Sequence, residues 1–382
     1  MHQQPLDGAA PALPHALAIR FTGSGSEYFR IWIVNLLLTV LTLTLYLPWA
    51  KVRKLKYFHG NTLVGDAPLG FHGNPRKMLR GYLLVGLLFI LYTLAGQFSP
   101  MAGLVALAIV VAIAPALFRA ALQFRLANTS WRGLRLRFTG GLREAYALAI
   151  PVVAMVAVGF GLGLFASLQQ GGHVAVVLAV LLPILLLQGW AVVWLLWRTK
   201  KYQHDHYALA SLQTHFSGRL RQFAGLLLRS AGLALLVAAL AGGIVAGAAA
   251  LGPALAPRTR TVLFSLLPLA LVLLLFVALK PYFVTRLQNL VWNHTGSDAL
   301  QFHSALRVRP MLGLTLKNWL LIVVTLGLYW PFAAVAMARL RLQAVSLSTR
   351  DDPAQLFDQL RAEHAEAAGD AAGDLFGFDV GL

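Results

Sequence analysis

Apolar stretches of close to twenty residues recur along this chain from one end to the other, and no other feature limits its fold so sharply. They run over 31–50, 82–98, 101–118, 145–167, 174–197, 230–250, 261–279 and 312–336. About 20 apolar residues in helix cross a hydrocarbon core roughly 30 Å thick. A soluble fold would have to hide all of these segments behind polar cover, and the cover is missing. Of the 382 residues 58% are hydrophobic and 12% charged, against about 25% charged in an ordinary soluble domain. The predicted class is an all-α polytopic membrane protein: a helical bundle of 6–8 membrane segments with internal repeats and short cytoplasmic β-strands.

The connections alternate in character. Gln97–Pro100 and Gln169–His173 are short and carry no Lys or Arg, and Pro253–Arg260 carries only Arg258 and Arg260. Lys51–Arg80, Arg119–Arg143, Arg198–Arg229 and Lys280–Lys317 are long and basic. Lys and Arg are retained on the cytoplasmic side during insertion, so the long connections are predicted to face the cytoplasm. The net charge of +18 is unevenly spread: eight of the 14 acids lie from Asp351 onward, with Arg361 the one cation there. Cations flanking apolar spans fit anionic headgroups rather than nucleic acid. Lys51, Arg53, Lys54, Lys56, Arg135, Arg137, Lys200 and Lys201 are the candidate headgroup contacts. With no cysteine, disulfides, thiolate metal sites and cysteine nucleophiles are excluded. The first twenty residues lack a basic n-region and a separate apolar core, so no cleavable signal is expected.

Two kinds of internal repetition are visible. Phe21-Thr-Gly23, Phe71-His-Gly73, Phe138-Thr-Gly140, Phe216-Ser-Gly218 and Phe302-His-Ser304 close short alternating stretches, of which Leu134–Phe138 is the clearest. Period-two alternation reads as a half-buried strand, and the glycine suits a turn into the next helix. Asn61-Thr62, Asn128-Thr129 and Asn293-His-Thr295 precede three of these strands. Asn35–Ala50 also aligns without gaps on Asn318–Ala333, with Asn, the second Thr, Tyr, Pro and Ala coinciding, which we read as duplication of 21–58 in 302–341. The predicted organisation is a flexible N-terminus over 1–16, a membrane domain over 17–347 built of about five strand-plus-helix repeats, and an acidic cytoplasmic tail over 348–382. That tail is expected to be flexible apart from a short helix at Pro353–Glu366.

If every Phe-x-Gly strand lies on one side, a single apolar segment cannot separate Phe21 from Lys51, or Phe302 from Arg339. We therefore expect six full spans plus two re-entrant end segments breaking near Thr42–Pro48 and Thr325–Pro331, where proline removes a backbone donor. Eight full spans are the alternative.

Chemistry-bearing residues are sparse. No carboxylate, Lys or Arg sits in the middle of a span, which argues against a proton-driven pump, since intramembrane acids mark proton relays. Asn35, Tyr46, Pro48 and Trp49, with Asn318, Tyr329 and Pro331, are the candidates for a gate or substrate path. His72, His204, His206 and His303 would be the ligands of a divalent metal if the connections gathered, with His72 and His303 taken as equivalent and His204 and His206 as alternate strand positions. No hydrolase motif accompanies them. No cofactor is expected.

Phe21-Thr-Gly23, Glu27–Arg30, Asn35, Leu43–Ala50, Tyr57-Phe58, Asn61-Thr62 and the closing Thr325–Pro331 resemble the signatures of the YjgN-like bacterial inner-membrane proteins, over about residues 17–347. The resemblance implies a bacterial cytoplasmic-membrane location and supplies no activity, because that family is a domain of unknown function. The expected function is transporter- or channel-like passage of a small solute or lipid. The alternative is a non-catalytic scaffold using the basic face, and a histidine-metal enzyme ranks behind both. The expected partners are membrane lipids with anionic headgroups and a second copy of the chain, not nucleic acid.

Overall fold

The computed structural model describes residues 15–168, 174–251, 254, 256–349 and 352–377; the Gln169–His173 connection lies outside the described residues. The chain alternates pairs of helices with pairs of strands. In order these are β1 (His15–Phe21), α1 (Gly25–Leu41), α2 (Leu47–Gly60), β2 (Thr62–Val64), β3 (Ala67–Phe71), α3 (Pro75–Phe98), α4 (Pro100–Ala127), β4 (Thr129–Trp131), β5 (Leu134–Phe138), α5 (Leu142–Leu168), α6 (Val174–His204) and β6 (Tyr207–Leu209). There follow β7 (Leu212–Gln213), β8 (His215–Phe216), α7 (Leu220–Leu251), α8 (Pro257–Trp292), β9 (Thr295–Gly296), β10 (Leu300–Ser304), α9 (Val308–Val324), α10 (Trp330–Gln343), β11 (Val345–Thr349) and α11 (Pro353–Gly377).

The strands overturn the all-α expectation. They form one antiparallel sheet in the order β7-β6-β5-β4-β3-β2-β1-β11-β10-β9-β8. Its two ends, β7 and β8, are separated in the chain by Thr214 alone, so the sheet closes into a ring. Closure leaves no free edge, which is how strands this short avoid unpaired backbone. Tight two-residue turns join three of the pairs, and their first positions take positive φ: Gly65 at 62°, Arg132 at 50° and Ala210 at 51°, as turns matching the strand twist require.

One register rule recurs at five places. Phe21 pairs with Thr62, Phe71 with Thr129, Phe138 with Tyr207, Phe216 with Thr295 and Ser304 with Val345. The next residue in each case donates its N–H to the carbonyl just before the partner strand: Thr22 to Asn61, His72 to Asn128, Thr139 to His206, Ser217 to His294 and Ala305 to Ala344, at 2.8 to 3.0 Å. Ser304, not Phe302, therefore holds the fifth position, and His303 is not the counterpart of His72. The glycine after each phenylalanine also has another cause than a turn. A Cβ on Gly140 would meet Phe138 Cε1 at 2.6 Å, and one on Gly73 would meet Phe71 Cε1 at 2.5 Å. The ring folds back over the backbone two residues on.

The helices make a second ring. Each of α1–α10 packs on its neighbours in the chain, and α10 packs on α1. Among the described residues five helices are long and apolar enough to cross a membrane, in α3, α4, α5, α6 and α7, rather than six to eight. Two of the expected segments are not single spanning helices. Segments 31–50 and 312–336 are each two helices, joined by turns at Thr42–Tyr46 and Thr325–Tyr329 within the predicted breaks. Segment 261–279 lies in the 36-residue helix α8.

Candidate functional site

The two short hairpins are built alike. Thr42 Oγ1 donates to Leu38 O at 2.7 Å and accepts from Tyr46 N at 3.0 Å; Thr325 Oγ1 does the same with Leu321 O at 2.6 Å and Tyr329 N at 3.0 Å. Leu43 and Leu326 then take positive φ, 48° and 50°. Pro48 and Pro331 sit in the first turn of the returning helix, where the missing N–H would have had no partner, and both are fully buried. Tyr46 stacks on Trp49 at 6.0 Å and Tyr329 on Phe332 at 5.5 Å. Asn35 and Asn318 are buried on α1 and α9, and Asn318 Nδ2 donates to Ala333 O at 3.5 Å. Asn35 Oδ1, Asn318 Oδ1 and the Tyr46 hydroxyl have no hydrogen-bond partner among the described residues. A buried polar atom left so is costly, and here three of the gate candidates carry one.

These hairpins stop short. α1 and α3 both begin four residues past their phenylalanine, yet α1 ends after 17 residues and α3 after 24. At 1.5 Å per residue the tip of α1 falls about 10 Å shallower. Because α10 packs on α1, the two short hairpins are adjacent in the helix ring, between α8 and α3. The tips are apolar: Leu43 is 85% and Leu326 93% exposed.

The long helices bury few of their residues. Between none and 11% of the most apolar window of each is buried. Met101–Phe118 of α4 and Ala231–Leu251 of α7 contain no polar side chain, so neither helix carries a polar stripe. A helix apolar all round belongs in lipid or in a core.

Cations gather at the sheet end. Arg30, Arg53, Lys56 and Tyr57, over Ile31 and Val34, line an open cleft of about 560 Å³ between α1 and α2. Arg30 was not among the sequence candidates; the signal available was its place one helical turn from Val34, facing the basic stripe of α2. Arg53 lies 5.7 Å over the Tyr46 ring, and Lys54 6.0 Å over Phe58. Lys51 is exposed. Arg135 and Arg137 point off the ring from β5, Arg137 donating to Ala210 O at 2.9 Å. Lys201 pairs with Asp205 at 3.5 Å, while Lys200 donates to Gln203 Oε1 at 3.1 Å.

The histidines do not meet. His72 Nε2 lies 2.8 Å from Ser130 Oγ, His204 Nδ1 3.1 Å from Thr295 Oγ1 and His206 Nε2 3.2 Å from Glu144 Oε2, while His303 is exposed on β10. Residues 204–206 are a helix end and a bend, not a strand, so the expected shared face is absent. No group of three or more His, Asp or Glu that could hold a metal exists among the described residues. Burial pushes the neighbouring Tyr207 phenol up to about 12, against the opposing pull of Arg125.

The acidic tail carries the helix expected from Pro353 onward, and that helix is docked. α11 extends to Gly377, beyond the expected Glu366, and Leu356, Phe357 and Leu360 are buried in one cluster with Val64, Trp131, Leu134, Leu300 and Leu347 from around the strand ring. Phe357 meets Trp131 edge-on at 4.5 Å and lies 4.8 Å under the Arg132 guanidinium, and Arg361 Nη2 donates to Arg132 O at 3.0 Å. The helix closes the bore of the strand ring.

Residues 16–375 match the family described as "Bacterial protein of unknown function (DUF898)". The chain belongs to this family. Among DUF898 relatives, "Inner membrane protein YjgN" of Salmonella typhimurium strain LT2 is 27% identical over 341 residues, covering 84% of this chain and 86% of that protein. The YjgN protein of Escherichia coli strain K12 is 27% identical over 157 residues, 39% of this chain and 38% of its own length. The resemblance to YjgN-like inner-membrane proteins therefore holds over most of the chain. No solved structure matches this DUF898 chain.

Proposed function

We propose that this is a multi-pass inner-membrane protein giving passage to a lipid or similar amphiphile, with its strand ring, basic connections and tail on the cytoplasmic side. The observation that carries the reading is the ring of helices with apolar faces and a wall cut short on one side by the α1–α2 and α9–α10 hairpins. An acyl chain would enter through that gap, and its headgroup would travel past the hairpin tips toward the cations. Walls as apolar as α4 and α7 favour such a cargo over a hydrated solute, whose desolvation they could not offset. We read the five strand pairs and their helices as copies of one ancestral unit, with the two shortened hairpins specialised for the gap. Transfer needs no proton carrier in this scheme.

Liposomes carrying a fluorescent-tagged lipid test it. With the protein reconstituted, the inner-leaflet tag should become accessible to an impermeant quencher faster than in empty liposomes, and Asn35→Ala or Tyr46→Ala should change that rate severalfold. Rates equal to those of empty liposomes for anionic and zwitterionic lipids alike would remove the proposal.

A further inference from the structure

Three helices that return to the sheet, α6, α8 and α10, bring cations without carboxylate partners to the inner end of the helix ring. The His204 ring stands edge-on to Trp292 at 5.3 Å, and His204 Nδ1 lies 3.1 Å from Thr295 Oγ1, so α6 and α8 come together there. Four residues back along each helix, one turn, stand Lys200 and Gln288. Gln288 is buried and clamps Arg341 of α10 from two directions: its Oε1 accepts from Arg341 Nε at 2.8 Å, and its Nε2 donates to Arg341 O at 2.9 Å. The clamp fixes the guanidinium plane and uses only Nε among its nitrogens. Lys200, one turn along α6 from the His204–Trp292 contact, is on the Arg341 side of this cluster, and its ammonium donates to Gln203 Oε1 at 3.1 Å. Among the described residues neither cation has a carboxylate partner, the four ion pairs there being Arg20–Asp66, Lys201–Asp205, His206–Glu144 and Arg361–Asp358. Two like charges held together without a counter-ion repel, and a fixed guanidinium fork beside an ammonium matches the oxygens of a tetrahedral anion.

We infer that Lys200 and Arg341, positioned by Gln288, form a binding site for a phosphate-type oxyanion, either a lipid phosphate headgroup or free phosphate. The lipid source rests on the amphiphile-passage reading above; the site itself does not. Its place between the apolar helix ring and the bore that α11 closes makes it the point where a headgroup would halt.

The test is calorimetric titration of the full chain in neutral detergent, once with inorganic phosphate and once with mixed micelles containing phosphatidic acid. Saturable binding is expected, weakened about tenfold or more by Lys200→Gln and by Arg341→Gln, as loss of one charge-assisted hydrogen bond implies. Arg341→Lys should weaken it less, and Arg20→Gln, a surface cation paired with Asp66 on the strand ring, should leave it unchanged. Phosphate and phosphatidic acid both binding identifies a site open to the free ion, and phosphatidic acid alone identifies the lipid source; either supports the site. Neither binding saturably, or Lys200→Gln and Arg341→Lys both binding like the parent chain, would overturn it. If Arg341→Gln does not fold, those two variants carry the test. Oxyanion binding without lipid passage would sink the transport reading and leave this site standing, whereas passage with no oxyanion binding would do the reverse.

Discussion

At the scale of single residues, the Phe-x-Gly pairs show how one side chain dictates another two positions away. The ring of Phe138 lies over Gly140, where an added Cβ would also meet Tyr202 Cε2 at 2.9 Å. The fifth unit gives an internal control: where Ser304 replaces the phenylalanine, Leu306 replaces the glycine, and Ser304 Oγ donates to Asn289 Oδ1 at 2.8 Å in place of ring packing. Without the aromatic ring at 304, the position two residues on accommodates a leucine side chain. Gly140→Ala should therefore destabilise the chain by about 1–3 kcal/mol, the usual range for overpacking a filled site. Gly159→Ala, where a Cβ on α5 meets nothing within 4 Å, should be neutral or slightly stabilising by helix propensity. Thermal unfolding of the two variants in detergent would check this, and equal midpoints would contradict the steric account.

Among the elements, α11 has the most to explain. Its buried residues, Leu356, Phe357 and Leu360, occupy barely more than one turn of a helix otherwise rich in Ala, Asp and Glu. So short an apolar face is too weak to hold a helix unaided, and its stability comes from the bore it fills. Phe357→Ala should leave a cavity worth about 3–5 kcal/mol of docking. Hydrogen exchange over Pro353–Glu366 should then rise toward that of an undocked peptide while the strands keep their protection; unchanged exchange would mean that the helix is held elsewhere. This also marks the limit of what was readable in the amino-acid order. The hairpin breaks were legible because Thr42, Pro48 and their partners act locally, and the strand ends were legible through their alternation. Sheet closure was not, since β1 pairs with β11 across more than three hundred residues. The Lys200, Gln288 and Arg341 cluster was invisible for the same reason: three separated helices supply it, and Lys200 by itself reads as one more interfacial cation. The fifth Phe-x-Gly match misled because alternation tolerates a shift of two residues, whereas backbone pairing does not.

For the whole molecule, the closed strand ring constrains topology more tightly than the charge pattern does. Every helical pair leaves the ring and returns to it, so the multi-pass topology proposed above puts all strands, α11 and the connections between strands on one side of the membrane. The same proposal puts the Gln97–Pro100 link on the other side and ends the two shallow hairpin tips inside the hydrocarbon. A chain without cysteine allows this to be tested residue by residue. In intact cells an impermeant maleimide should label Gln97→Cys, and should reach Arg135→Cys only after permeabilisation. Leu326→Cys should resist the reagent in both conditions. Maleimide attacks the thiolate, and a thiol surrounded by lipid tails does not ionise. If Leu326→Cys were labelled from outside as fast as Gln97→Cys, α9 and α10 would reach the far surface. The gap in the helix ring would then be filled, and the route proposed for an acyl chain would have no opening.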